Sequence, residues 1–211
     1  MLGDGTRSDC FVPKAIRDDT RFVSLSGSSF ALDVDGGLWG WGGNAYGLLV
    51  DSTTEDRVLS PIRVMPEKKF SEVSCASLKV LAVDYEGNVW SWGDNTVGQR
   101  GDGTGEEYFT PYKVEQTTPI VAIDGVGGRA FKIDSDGTLW GAGSKIGNGE
   151  KKYQTSYVPI NKDVKYKQVY AASRYTVAID IDGNLWSWGS NGNGQLGNGT
   201  QIESLVPTQI T

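Results

Sequence analysis

The chain is a succession of short apolar runs separated by turn residues. No segment keeps the three- and four-residue apolar spacing of a helix. Four runs share one form: Ala31-Leu32-Asp33-Val34-Asp35-Gly36, Leu81-Ala82-Val83-Asp84-Tyr85-Glu86-Gly87, Phe131-Lys132-Ile133-Asp134-Ser135-Asp136-Gly137 and Ala178-Ile179-Asp180-Ile181-Asp182-Gly183. Each closes on Asp-Gly or Glu-Gly and passes into a Trp-rich run. Apolar runs joined this way predict a tight hairpin, because glycine accepts the positive φ that the turn needs. Downstream lies a glycine turn, as in Leu196-Gly197-Asn198-Gly199-Thr200, and then a Pro-centred run such as Ser60-Pro61-Ile62-Arg63-Val64. Proline cannot donate to a ladder, so this run belongs at a sheet's outer edge. A last apolar run, for example Phe70-Ser71-Glu72-Val73-Ser74, completes a unit of four strands.

The Trp blocks set the period. They read Trp39-Gly40-Trp41-Gly42, Trp90-Ser91-Trp92-Gly93, Trp140-Gly141-Ala142-Gly143 and Trp186-Ser187-Trp188-Gly189, and they hold all 7 tryptophans of the chain. A four-stranded unit recurring about every fifty residues is the sequence form of a β-propeller blade. The expected fold is therefore all-β, with approximate blades at 12–53, 60–104, 110–150 and 158–200 in a single repeat domain covering 1–211. Each Trp stands at the same place in its unit, which makes it an inter-blade wedge before it is a ligand platform. Trp39 and Trp41 lie two residues apart on a strand, so both are expected to point to one side.

The composite from Asp182 to Thr200, with Asp-Gly, Leu-Trp-x-Trp-Gly, Gly-Gln-Leu-Gly and Gly-Thr in order, resembles the repeat of the regulator of chromosome condensation (RCC1) family. The resemblance implies a propeller, usually of seven blades. It also implies a range of roles: nucleotide exchange on a small GTPase, inhibition of β-lactamase, and modules attached to ligases. Many family repeats carry a histidine shortly before the turn glycine; here that place holds Ser28, Lys79, Arg129 and Tyr175. The change argues against exchange-factor activity. The Trp-x-Trp-Gly form looks like a bacterial or bacteriophage branch, and with it a virion-associated role.

Four Trp blocks face five glycine-turn and Pro-strand segments, the first at Leu2 to Ile16 and the fifth at Leu196 to Ile210. Three arrangements follow: an open arc, a larger ring completed by another chain, or a compact four-bladed ring with an overlapping strand. A fragment of a longer chain is the simpler alternative. Leaving both end faces of an arc bare forfeits about 10 kcal/mol at ~25 cal/mol per Å2. That matches the whole stability of an ordinary domain. A protein partner, or self-association through the end blades, is the expected remedy.

Composition narrows the chemistry. The chain has no histidine, which excludes a Ser-His-Asp or Cys-His centre built from its own residues. Two cysteines make no metal spacing, and no metal or other cofactor is expected. The net charge of −6 disfavours nucleic acid, and no apolar run suits membrane insertion. The first residues lack the pattern of a signal peptide, so the expected setting is cytoplasmic or virion-associated. The Asp-x-Asp-Gly pieces begin like a calcium loop but lack its later ligands, and turn chemistry explains them. The expected function is non-enzymatic recognition or a structural role in an assembly, with enzyme inhibition and nucleotide exchange as alternatives. Candidate partner-binding residues are Ser28, Lys79, Arg129 and Tyr175, which share one ring of the propeller, and Tyr46 in the loop after the first Trp block.

Overall fold

A computed structural model describes residues 1–27, 29–44, 47–50, 56–76, 78–106 and 108–211. The strands form four antiparallel sheets of four. The first blade holds β1 (Phe22–Ser26), β2 (Phe30–Asp33), β3 (Leu38–Gly43) and β4 (Arg57–Arg63). The second holds β5 (Phe70–Ala76), β6 (Lys79–Asp84), β7 (Val89–Gly93) and β8 (Tyr108–Lys113). The third holds β9 (Ile120–Val126), β10 (Arg129–Asp134), β11 (Leu139–Gly143) and β12 (Gln154–Ile160). The fourth holds β13 (Tyr166–Ala171), β14 (Tyr175–Asp180), β15 (Leu185–Gly189) and β16 (Ser204–Gln209). Strand order within every sheet follows chain order, and no helix is present among the described residues.

The prolines Pro61, Pro111, Pro159 and Pro207 all fall on the fourth, outermost strand of a sheet. Each Pro strand closes the sheet of the Trp block before it. The sheets therefore span 22–63, 70–113, 120–160 and 166–209, a different phase from units that begin at the Pro strand. The physical reason is ladder pairing: Trp39 pairs with Arg63, Trp90 with Lys113, Trp140 with Pro159 and Trp186 with Gln209.

The core lies between blades. Phe30, Leu32 and Leu38 of the first blade pack on Phe70, Val73, Val80 and Trp92 of the second. Leu81, Val83 and Val89 meet Ile120 and Ile123 of the third. Phe131, Ile133 and Leu139 meet Tyr166, Val169 and Trp188 of the fourth. Among the described residues no core cluster joins the fourth blade to the first, so the sheets form an open arc rather than a closed ring. The glycine after each Trp block is needed for close approach. Gly93 and Gly143 have positive φ, and a Cβ there would overlap the carbonyls of Leu78 and Gly128.

The same packing position can be compared across blades. Leu139 is fully buried and its cognate Leu185 is 44% exposed. Leu139→Ala is expected to destabilise the chain by about 2–5 kcal/mol, and Leu185→Ala by less than about 1 kcal/mol. Urea unfolding of both variants checks this; equal losses would mean that the last blade is covered in solution.

Candidate functional site

The turns come first, because they orient the Trp blocks. Asp33, Asp84, Asp134 and Asp180 end the second strand of each sheet. One carboxylate oxygen accepts the backbone N–H of Gly37, Asn88, Thr138 or Asn184, four residues on. The other accepts the indole N–H of the first Trp of the block: Trp39 at 2.7 Å, Trp90 at 2.9 Å, Trp140 at 2.8 Å and Trp186 at 2.9 Å. Burial pushes the carboxyls of Asp33, Asp84 and Asp180 up, but these N–H donors outweigh it and hold all three below the usual aspartate value.

The second Trp reaches the preceding blade. Trp92 donates to the Leu48 carbonyl at 2.7 Å and Trp188 to the Ile146 carbonyl at 2.8 Å. Trp41 lies against Gly3, so the N-terminal glycine turn occupies on the first blade the place that Ile146-Gly147 occupies on the fourth. Gly5 donates to the Leu59 carbonyl as Gly149 does to that of Leu205. Trp90 and Trp186 also pack on the junction clusters, so both rings of a block face the preceding blade, while their N–H groups go to different partners.

Asn95 and Asn191, in the loops after their Trp blocks, are buried. Each carbonyl accepts a turn N–H, of Arg100 or Leu196, and each amide donates to backbone carbonyls across the glycine loop. They pin the glycine loops of the second and fourth blades, as Asn44, accepting the Leu49 N–H, does the turn under Trp92. Their fixed place after each Trp-Gly pair was the available signal.

Burial takes two of the expected partner-binding residues, Lys79 and Arg129, away from the surface. Lys79 is buried and donates to the Arg129 carbonyl. Arg129 is buried and donates to the Ala172 carbonyl and to Thr176 Oγ1. Both staple one blade to the next instead of lying free on a surface, because the following blade covers their position. Tyr175, at the same position in the fourth blade, is packed under no further blade among the described residues and is half-exposed. Ser28 and Tyr46 lie outside the described residues.

Tyr175 thus marks the arc's open downstream face. Val177 and Ile179 follow it on β14, half-exposed, where β10 has buried Phe131 and Ile133. Leu185 stands beside them, 44% exposed against 0% for Leu38, Val89 and Leu139. The upstream face is barer near the axis, where Leu25 is 75% exposed against 5–7% for Val73, Ile123 and Val169. Towards the rim it is covered by the N-terminal turn and by Arg17, stacked 4.5 Å from the Trp39 ring.

An axial cluster escaped the sequence reading. Asp124 accepts from Ser74 Oγ in the second blade and from the Ala171 N–H in the fourth, at 3.1 and 2.7 Å. Glu72 faces it, accepting from the Ile123 N–H at 3.3 Å. Burial, and then the Asp124 charge, push Glu72 up to about 7. Burial pulls Lys79 down to about 7, against the attraction of Asp124.

An open arc of four-stranded blades, wedged by paired tryptophans and pinned by Asp–indole corners, defines a propeller-repeat protein. The RCC1 repeat model, "Regulator of chromosome condensation (RCC1) repeat", matches residues 35–83, 86–125 and 182–211, and a second model of the same description matches 166–195. The chain belongs to the RCC1 repeat family. It is 32% identical to the ultraviolet-B receptor UVR8 of Arabidopsis thaliana over 100% of this chain and 51% of that protein. It is 28% identical to the human E3 ubiquitin-protein ligase HERC2, over 94% of this chain and 4% of that protein. Human WBSCR16 superposes with a TM-score of 0.83 at 22% identity, covering 95% of this chain and 57% of that one. Prp20p of Saccharomyces cerevisiae gives 0.80 at 22%, covering 95% and 52%. The chain thus spans about half the length of UVR8 and of both structures. These relatives are from a plant, a mammal and a yeast, so the expected bacterial or bacteriophage branch has no support. The virion role and β-lactamase inhibition lose their support with it.

Folded Glu72 keeps its proton up to about pH 7, whereas the unfolded group releases it near 4.5. The folded state binds more protons in that window, so raising the pH favours unfolding. Glu72's contribution is complete below pH 4.5 and lost as the pH rises through 7. Glu72→Gln is expected to remove this loss, on the order of 2 kcal/mol after allowance for partial exposure. Urea midpoints of both proteins at acid and neutral pH check it; parallel pH profiles would refute it.

Proposed function

We propose that this chain is a non-enzymatic protein-recognition module of the RCC1 type that docks on protein through the downstream face of its fourth blade. The carrying observation is Leu185, half-open where its three cognates are sealed by the next blade. Tyr175, Val177 and Ile179 extend the same apolar strip, and Tyr170 at its edge is exposed. Tyrosine and aliphatic side chains on a flat sheet face suit a protein partner, since they bury area with little rotamer entropy to lose. The natural occupant is a blade of this architecture contributed by a second copy.

The acidic balance of the chain supports a protein partner over a nucleic acid one. Relatives agree in kind: Prp20p is described with binding to Gsp1p and histones, and yeast RCC1 (Prp20) as bound to Kap60. A non-enzymatic role is supported by the absence of histidine from the chain and by the engagement of its repeat aspartates in turns.

The test is sedimentation of the chain over a range of concentrations. The wild type is expected to exceed its 22.8 kDa monomer mass, and Tyr175→Lys with Leu185→Lys to remain monomeric with an unchanged urea midpoint. A wild-type chain that stays monomeric throughout would overturn the reading.

A further inference from the structure

The four blades are not equal copies, and the departures gather at the junction between the second and third. Opposite the first Trp, the second strand carries Ala31, Ala82 and Ala178 in three blades, but Lys132 in the third. The second Trp of the block becomes Ala142 there. On the outer strand, two residues before the partner of the first Trp, three blades have Pro61, Pro111 and Pro207 and the third has Tyr157. Two of these replacements, Lys132 and Tyr157, line a cavity of about 750 Å3 between the blades. Its other walls include Trp140, Val114 and Ile120, and its rim includes Lys113 and Glu115.

Lys132 is the unusual element. The residue is only 4% exposed, yet its ammonium has no hydrogen-bond or ion-pair partner among the described residues. Its nearest compensation is the face of the Tyr157 ring, 4.6 Å from Nζ to the ring centroid. Burial pulls Lys132 down to about 8, against the pull of Asp134, so it carries charge at neutral pH. A poorly hydrated ammonium without a hydrogen-bonding partner is costly, and the other three blades place alanine here. The same wall has spare polar capacity: the Tyr157 hydroxyl and Gln116 Oε1 are buried without a hydrogen bond. Burial pushes the Tyr157 phenol up, so it remains an O–H donor.

We propose that this junction is a binding site for a small aryl carboxylate, its anion neutralising Lys132 and its ring lying among Trp140, Val114 and Ile120. Charge selects a monoanion. One interior cation lacks a partner, and the second cation of the cavity, Lys113, is an exposed rim residue beside the exposed Glu115. The apolar walls select a planar ring, and the volume falls in the usual range for small-molecule sites of about 300–1,000 Å3. The site is independent of the open end face and of the recognition role drawn from it.

The probe is naphthoate, with uncharged naphthamide as control, titrated against the intact chain by calorimetry and by tryptophan fluorescence. The wild type is expected to bind naphthoate, and to prefer it over naphthamide by at least ~10-fold. Lys132→Ala, which installs the residue of the other three blades, is expected to weaken naphthoate by at least ~10-fold while leaving naphthamide unchanged. Tyr157→Phe, which deletes one oxygen, is expected to weaken naphthoate severalfold. If Lys132→Ala does not fold, Lys132→Met keeps the stem and is the variant to read. No binding by the wild type, equal binding by wild type and Lys132 variant, or equal affinity for acid and amide would each overturn the proposal.

Discussion

Everything in this molecule depends on the apolar contact between one sheet and the next. A single four-stranded sheet cannot bury enough of its own surface, and each core cluster is shared by two consecutive blades. The tryptophan wedge makes that contact directional. Trp92 and Trp188 each bury a large ring and satisfy the indole N–H on a carbonyl of the preceding blade's glycine turn. The turn beneath Trp92 is itself held by the buried Asn44, whose side-chain carbonyl accepts the Leu49 N–H at 3.0 Å. Stability therefore runs along the chain as a series of junctions, and each blade depends on its neighbours.

That logic gives the two ends their character. At an interior junction, polar side chains are absorbed: Lys79 and Arg129 reach across to backbone carbonyls of the next blade. At the downstream end the same strand positions are left to Tyr175, Val177 and Ile179, half-exposed, with no sheet packed across them among the described residues. The upstream end is partly closed by the chain's own glycine turn at Gly3 and Gly5. The arc is thus polar in the geometric sense: its upstream face is bare near the axis and covered towards the rim, and its downstream face is half-exposed along β14. The proposed recognition is assigned to the downstream face.

Much of this was legible in the residues. The hairpin aspartates, the edge prolines and the Trp blocks are short-range features, each explained by turn geometry, a missing N–H or a fixed repeat position. Other features were not legible. The phase of each blade depended on which Pro strand pairs with which Trp strand, a long-range choice that spacing alone leaves open. Lys79 and Arg129 looked like surface anchors because charge suggests exposure; the following blade buries them. Glu72 and Asp124 are 52 residues apart and come together only at the axis. Lys132 and Tyr157 carry a signal in the sequence, since each breaks the repeat, but it becomes visible only after the registers align the four copies.

The linear chain by itself determined that there would be four-stranded blades, because hairpin turns, edge prolines and wedge tryptophans act over a few residues each. Only the tertiary structure decided which polar side chains became staples, which apolar ones stayed bare, and where a cavity opened. Those outcomes depend on whether a neighbouring sheet stands opposite, and that is a property of the arc and of no single repeat.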